Sequence, residues 1–267
     1  MDAESFEQMR LISFGSIFAV MAVLEVIIPR RKLRKSKPAR WFSNITLTFL
    51  SSLSGRYALP FTGVTAAIFA SERGMGFFNN TDVNPILKTI FIIVMLDMII
   101  YWQHVFFHRI PILWKLHKVH HADPDYDVTT GARFHPIEIV LSMVIKIIFI
   151  FVLGADVFSV VLFEMILNGM AMFNHSNIKF NKSVDSVLRK VIVSPDFHRV
   201  HHSTLPREHH SNFGFNLSIW DYIFKTYRQQ PEKGHEEMDI GLDYISEDSK
   251  SMSIFGMLLT PFLKDKK

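Results

Sequence analysis

Long apolar segments constrain this chain more than any other feature, because four of them reach the length of a membrane-spanning helix. They occupy residues 11–29, 41–70, 85–102 and 136–173. A bilayer core requires about 20 residues of helix, and the first segment offers 19 with Glu25 as its only charge. The last has 38 residues interrupted at 154–156, enough for two helices joined by a turn. We therefore predict an all-α integral membrane protein with about four transmembrane helices.

A basic cluster follows the first apolar segment, with seven Lys and Arg residues in RRKLRKSKPAR at 30–40. Such a cluster is compatible with nucleic-acid binding or with a solvated charged surface. Its position directly after a membrane segment instead fits the positive-inside rule, which places it in the cytoplasm. The acidic stretch at 1–10 is unlike the basic start of a cleavable signal peptide. We expect a lipid bilayer and no nucleic acid as partner.

Histidine is the residue type that indicates chemistry. H-x-x-x-H at 104–108 is followed by two copies of H-x-x-H-H, at 117–121 and 198–202. Positions i, i+3 and i+4 share one face of a helix, so each motif presents its imidazoles together. Neutral imidazole binds iron, zinc, copper or nickel, and the chain has no cysteine. Eight imidazoles exceed the needs of one ion and predict a site for two.

Two further histidines flank the last apolar segment and are predicted to join the ligands. His135 precedes the segment and His175 follows it; hydrogen bonding to a ligand is the alternative for both. His209 and His210 lie beyond a proline that should end the preceding helix. We expect His210 just outside the ligands, His209 in solvent and His235 uninvolved. The predicted ligands are His104, His108, His117, His120, His121, His135, His175, His198, His201 and His202.

The number of crossings decides on which side these histidines lie. If 41–70 crosses once, the ten predicted ligands share the cytoplasmic face with the basic cluster, and 71–84 lies outside. If 41–70 forms a hairpin, the ten predicted ligands all lie on the outer face. We favour the single crossing, because a reducing compartment supplies ferrous iron and electrons; this preference rests on the function inferred below.

The order of these motifs resembles the fatty acid hydroxylase / sterol desaturase superfamily of integral-membrane di-iron oxygenases. The resemblance runs from about 95 to 227 and includes TGARFHPIE at 130–138, FNHSN at 173–177 and NFGFNLSIWDYIFKTY at 212–227. Two positions depart from the family pattern. His210 stands where an acidic residue is common, and Lys225 where glycine is usual.

The resemblance implies a cytoplasmic helical cap with two iron ions, for which zinc can substitute in purified protein. It implies an O₂-dependent hydroxylase of a fatty-acyl, sterol-like or related lipid, served by a separate electron donor, because no fused cytochrome b5 segment is found. His210, Asn174 and Asn212 are expected beside the ligands.

The chain is predicted to form one membrane domain, 1–267. Its regions are an N-terminal transmembrane part (1–95), a catalytic part (96–230) and a tail (231–267).

Other functions remain as alternatives at this point. A desaturase could use the same centre, since hydrogen abstraction begins both reactions. A di-zinc membrane hydrolase, a metal-binding protein without redox chemistry and a non-enzymatic scaffold are rivals of another kind. H-E-x-x-H, G-x-S-x-G, G-x-G-x-x-G and phosphate-loop motifs are all missing from the sequence.

Polar residues within the apolar segments are candidates for function, or else reach the bilayer surface by snorkelling. They are Arg56, Asp97 and Lys146. The apolar run within 251–267 is too short to span, and we expect it either at the membrane interface or packed on the domain.

Overall fold

A computed structural model describes residues 3–245 and 252–263, and this part of the chain consists of helices and loops without a named strand. The expected all-α fold is confirmed. The helices are α1 (Ala3–Ile27), α2 (Lys37–Ala58), α3 (Gly63–Glu72), α4 (Pro85–Arg109), α5 (Pro111–His121), α6 (Pro136–Leu153), α7 (Val157–Asn174), α8 (Lys182–Leu188), α9 (Pro195–His201), α10 (Pro206–His209), α11 (Ile219–Ile223), α12 (Gly234–Glu237) and α13 (Ile254–Leu259).

Four single helices are long and apolar enough to cross a membrane, in agreement with the expected number; the traverse by α2 and α3 together, described below, is additional to them. They are α4, α6, α7 and the part of α1 from Gln8 to Ile27. The hairpin predicted for 136–173 is α6 and α7. Gly154 ends α6 in the left-handed conformation, with φ 66°, and the Asp156 side chain accepts from the Ser159 N–H at 3.0 Å to begin α7.

The segment 41–70 contains two helices joined by a short break. Pro60 lies in that break, and Thr62 caps α3 by accepting from the Thr65 N–H while the Thr65 hydroxyl accepts from the Thr62 N–H. Both helices pack against α6. Because α2 begins near the histidines and α3 ends near the α6–α7 turn, the pair traverses the bundle once.

The contact between residues 71–84 and the α6–α7 turn is very close. A β-carbon placed on Gly76 would lie 2.2 Å from the backbone nitrogen of Gly154, so only glycine fits there. Residues 71–84 therefore lie at the end of the bundle opposite the histidines, as the single-crossing interpretation requires. Buried apolar residues of α3, α4, α6 and α7 fill the space between the two ends.

The polar residues within the spans have mainly structural surroundings. Asp97 is buried in α4 and accepts hydrogen bonds from the backbone N–H of Asn216 and Leu217 and from the Trp220 indole, at 3.2, 3.1 and 2.8 Å. It therefore fastens the loop before α11 to the membrane helix. Lys146 forms an ion pair with Glu164, whereas Arg56 is exposed.

Several charges of the basic cluster are used inside the fold. Arg40 is fully buried and forms ion pairs with Asp123 at 2.7 Å and Asp127 at 2.6 Å. Arg31 is also buried and donates to the Met238 carbonyl at 2.8 Å. Arg40 thus holds the loop after α5 and is neutralised by its two carboxylates, whereas Arg31 holds the segment after α12.

The C-terminal tail packs on the domain, one of its two expected placements. Met257 of α13 is buried against Leu47 and Val119. Phe255 and Leu259 of the same helix are 79% and 56% exposed, so α13 presents an apolar outer face. Residues 246–251 and 264–267 of the predicted tail lie outside the described residues.

A candidate two-metal centre

Nine of the ten predicted ligands converge into two groups at one end of the bundle. Within each group, one ligand nitrogen from every residue lies within 4.8 Å of all the others, and every member is buried. We name them group 1 and group 2. Group 1 is His104, His108, His117, His121 and His201; group 2 is His120, His175, His198 and His202.

Each H-x-x-H-H motif contributes to both groups, in opposite proportions. The first and last histidines of the α5 motif belong to group 1, and those of the α9 motif belong to group 2. The second histidine of each motif belongs to the other group. The two outer pairs are His117/His121 and His198/His202, and the two crossing residues are His120 and His201. The repeat thus places α5 and α9 against each other across a pair of sites.

Hydrogen bonds fix the orientation of the rings. The Nδ1–H groups of His104 and His201 donate to the carbonyls of Phe213 and Ser211 at 2.8 and 2.7 Å. In both rings Nε2 is buried without a hydrogen-bond partner. A metal-ligating histidine typically donates its other ring N–H in this way, which sets the tautomer and the direction of the lone pair.

His117 and His175 follow the same rule with different acceptors. The Nδ1 atom of His117 lies 2.7 Å from Oε1 of Glu138, and that of His175 lies 2.8 Å from the Ala171 carbonyl. The Nε2 atoms of His175 and His120 face each other at 3.1 Å. Four rings are therefore anchored through Nδ1, with Nε2 directed into the groups.

The electrostatic setting favours neutral imidazoles. Burial lowers the pKa of His117 and His175 to about 3. Burial and then neighbouring histidines lower the pKa of His120, His198 and His202 well below the ordinary value. Neutral imidazole is the form that binds metal ions, and unpartnered buried nitrogens are costly without a ligand. The residues present therefore fit two metal ions.

The tenth predicted ligand, His135, lies outside both groups. It is the N-cap of α6: its Nδ1 accepts from the Ile137 N–H at 3.2 Å, and its Nε2 donates to the Leu258 carbonyl at 3.3 Å. Both ring nitrogens are thus used in holding α6 and the tail. The proline that follows His135 places it at the helix start, and this geometry turns the ring away from the groups.

His209 and His210 both lie beside group 1, with ring centroids 6.1 and 5.7 Å from that of His108. His209 is buried and its ring stacks on Trp114 at 5.6 Å, whereas His210 is exposed with its ring 5.7 Å from that of His108. The prediction that His209 faces solvent is wrong. Pro206 begins a new short helix, α10, instead of leaving a loop, and the helix turns His209 inward. Burial, followed by His210, lowers the pKa of His209 to about 4.

The two asparagines expected beside the ligands hold the backbone around them. Asn174 donates to the Phe215 carbonyl at 2.9 Å, directly before His175. Asn212 adopts a left-handed conformation with φ 55° and donates to the carbonyls of Phe197 and Arg228 at 2.8 and 2.9 Å. Such a conformation is tolerated by asparagine better than by most residues. His235 is buried near Asp196 and lies outside both groups.

Sequence reasoning gave no individual role to two residues that border the groups. Glu138 lies in the quoted TGARFHPIE segment, so its position was available, but its bond to His117 depends on how α5 meets α6. Phe134 stacks on His120 with centroids 4.4 Å apart and an interplanar angle of 12°. Phe134 lies in the same quoted segment, but one of 25 phenylalanines in the chain carries no signal of such a role by itself.

The fold and the site define an integral membrane protein with a histidine-rich centre suited to two metal ions. The profile of the fatty acid hydroxylase family matches residues 89–226, about half of the chain. The protein belongs to this family, which confirms the predicted resemblance. Membership makes it an oxygen-dependent oxidoreductase.

Named relatives are of two kinds. An ornithine lipid hydroxylase of Rhizobium tropici is 24% identical over 88% of this chain and 72% of its own. Alkylglycerol monooxygenases of Xenopus tropicalis and Homo sapiens are 31% and 28% identical, each over 50% of this chain. The chain spans only 29% of the length of each of these two monooxygenases. No solved structure shows significant similarity.

Proposed function

We propose that this protein is a membrane-bound di-iron hydroxylase that introduces oxygen from O₂ into a C–H bond of a lipid. The observation that carries the proposal is the pair of adjacent groups of buried, neutral imidazoles. Family membership supports the O₂-dependent reaction, and the membrane helices support a lipid substrate. Each turnover consumes O₂, two electrons and two protons, and yields the hydroxylated lipid and water.

Iron is the metal that suits both the ligands and the reaction. Imidazole nitrogen binds iron and zinc alike, but zinc has no redox chemistry. Two ferrous ions, when bound, would supply the electrons and open coordination positions that O₂ activation needs. Group 1 would hold one ion through up to five nitrogens, and group 2 the other through up to four.

The chain's own contribution is to orient these nitrogens and keep the site closed. Glu138 and the carbonyls of Phe213, Ser211 and Ala171 fix four rings. Tyr126 covers group 2, with its ring 5.0 Å from that of His202. A buried site limits loss of the oxidising equivalents to water.

The position of the centre suits a substrate that stays in the bilayer. His104 and His108 lie in the last two turns of α4, and His175 follows the end of α7. The centre is therefore close to one boundary of the hydrocarbon region, where a lipid can approach sideways without leaving the membrane. The relatives named for ornithine lipid and for alkylglycerol support a lipid with a polar headgroup as substrate.

We further propose that the centre faces the cytoplasm and receives electrons from a separate carrier. The basic segment 30–40 lies at the histidine end of the bundle, which supports this orientation under the positive-inside rule. Within this segment Lys32 is exposed without a described partner, whereas Arg40 is neutralised by Asp123 and Asp127.

Metal and product analysis of the same preparation tests the proposal. Protein produced with iron in excess and little zinc should contain two iron ions per chain. In nanodiscs with a chemical reductant and isotopically labelled O₂, it should add one labelled oxygen atom to a lipid. Loss of two hydrogens instead would indicate a desaturase, and lipid cleavage supported by zinc without a reductant would indicate a hydrolase.

A further inference from the structure

A pair of polar side chains connects two membrane helices next to the candidate centre. Gln103 of α4 donates through Nε2 to the Ser142 hydroxyl of α6, at 3.0 Å. Gln103 directly precedes His104 in the sequence, and Ser142 lies one turn along α6 from Glu138. Positions four residues apart share a helix face, so Glu138 and Ser142 point into the same seam between α4 and α6.

Two acceptor atoms in this seam have no hydrogen-bond partner. They are Oε1 of Gln103 and Oε2 of Glu138, both buried from solvent. Glu138 as a whole is only 4% exposed, and its other oxygen is engaged by His117. Leaving a buried acceptor without a partner is unfavourable, and more so when the group is charged. A donor that enters the seam would remove this cost.

Polar groups farther from the centre are paired, whereas Oδ1 of Asn174, directly before His175, also has no hydrogen-bond partner. Both carboxylate oxygens of Asp97 accept hydrogen bonds. The hydroxyls of Thr89 in α4 and Ser159 in α7 bond each other at 3.0 Å near the opposite end of the bundle. Oε2 of Glu164, farther along α7, forms an ion pair with Arg10 at 3.0 Å. The acceptors left without any partner in these helices, in Gln103, Glu138 and Asn174, therefore lie near the centre.

The seam is also accessible from the bilayer. Gln103 and Ser142 are half-buried, and Phe106, one turn along α4 from Gln103, is 48% exposed. The outer side of the pair therefore faces a lipid beside α4, whereas the unpaired amide oxygen is buried. Polar residues within a membrane span commonly mark a substrate pathway.

We propose that Gln103, Ser142 and Glu138 form a subsite that accepts a hydrogen bond from a hydroxyl or amide N–H group of the lipid substrate. This inference rests on the proposed hydroxylase function. It narrows the substrate class to lipids with a donor group close to the oxidised carbon, because Gln103 adjoins His104 and Glu138 holds His117. An acyl chain oxidised far from any polar group would leave both acceptors unpaired.

Paired probe lipids test the subsite. The first probe is 1-O-hexadecylglycerol, and the second is its analogue with the central hydroxyl methylated. Binding of each radiolabelled probe to the protein in nanodiscs is measured without reductant, and turnover is measured with iron, O₂ and reductant. We expect the wild-type protein to bind and oxidise the first probe at least tenfold better, as a hydrogen bond of about 1.4 kcal/mol provides.

Gln103→Leu should abolish the preference between the probes by weakening binding of the hydroxyl probe alone. Metal content should be unchanged, and the loss of binding should be confined to the hydroxyl probe, whereas a general structural defect would weaken binding of both probes. Ser142→Ala should reduce the preference partially, because it frees the Gln103 amide to rotate. Thr89→Val is the matched control, since it removes another interhelical hydrogen bond of α4 and should leave the preference intact.

The experiment distinguishes failure of the subsite from failure of the proposed hydroxylase function. Equal binding of both probes by the wild-type protein, or an undiminished preference in Gln103→Leu, would overturn the subsite. A preference in binding that Gln103→Leu abolishes, without oxidation of either probe by iron-loaded protein, would support the subsite and overturn the hydroxylase proposal.

Discussion

Glu138 of α6 lies against His117 of α5, with Oε1 2.7 Å from the Nδ1 atom. The pair joins the first turn of a membrane helix to a helix that carries three candidate ligands. A carboxylate in this position sets the tautomer of the ring and raises its basicity as a ligand. The contact therefore couples the position of α6 to the strength of the group 1 site.

We predict that Glu138→Ala weakens one of the two metal sites selectively. Loss of such a partner typically lowers metal affinity by about 10–100-fold, so one ion should dissociate at lower chelator concentration than the other. Glu138→Gln keeps an acceptor for the Nδ1–H group, so its metal affinity should lie between those of Glu138→Ala and the wild type. Stepwise removal of iron by a chelator measures the affinity of each of the two sites. Simultaneous loss of both ions in Glu138→Ala would contradict independent support of group 1.

The crossed arrangement of the two motifs makes a second prediction. His120→Ala removes a group 2 ligand and His201→Ala a group 1 ligand, so each variant should bind about one iron ion and lose hydroxylation. His135→Ala should retain both ions, because its ring nitrogens bind Ile137 and Leu258. Iron content per chain is the measurement. A loss of iron in His135→Ala equal to that in His120→Ala would show that His135 is a ligand.

The positions of His209 and His210 lead to opposite expectations for the two residues. His209→Ala removes a buried ring stacked on Trp114 and should destabilise the fold by about 1–3 kcal/mol. His210→Ala removes an exposed ring and should keep both iron ions and an unchanged thermal midpoint. Thermal unfolding in detergent checks both variants. Equal midpoints for the two variants would contradict the burial of His209.

A further prediction concerns pH and uses His235, which lies outside both groups. Burial lowers its pKa to about 3, although Asp196 opposes the shift. Below about pH 6.5 the unfolded chain binds a proton at His235 that the folded protein does not bind. The free energy of unfolding should therefore fall between pH 6.5 and about pH 3, by up to about 1.4 kcal/mol per pH unit for this residue. His235→Gln should be less sensitive to acid over that range, and an equal acid sensitivity would refute the assignment.

Sequence reasoning identified the histidines of both groups because the spacing within each motif is local information. The i, i+3, i+4 spacing in α5 and α9 depends only on helix geometry. His117 and His120 belong to different groups because of the way α5 and α9 cross. This crossing is a tertiary feature, so neither motif predicts it by itself. His135 was misplaced for a related reason: being next to a membrane segment suggested a ligand, but a residue before proline at a helix start is also a natural N-cap.

The orientation of the centre can be tested because the chain contains no cysteine. A cysteine introduced at Lys182, exposed after α7 at the histidine end, and one at Glu72, exposed at the end of α3, probe opposite ends of the bundle. If the centre faces the cytoplasm, a membrane-impermeant maleimide should label Glu72→Cys but not Lys182→Cys in intact cells. Both should react after permeabilisation, which controls for burial of the thiol. Labelling of Lys182→Cys alone would place the centre outside, and labelling of both in intact cells would contradict the single traverse by α2 and α3.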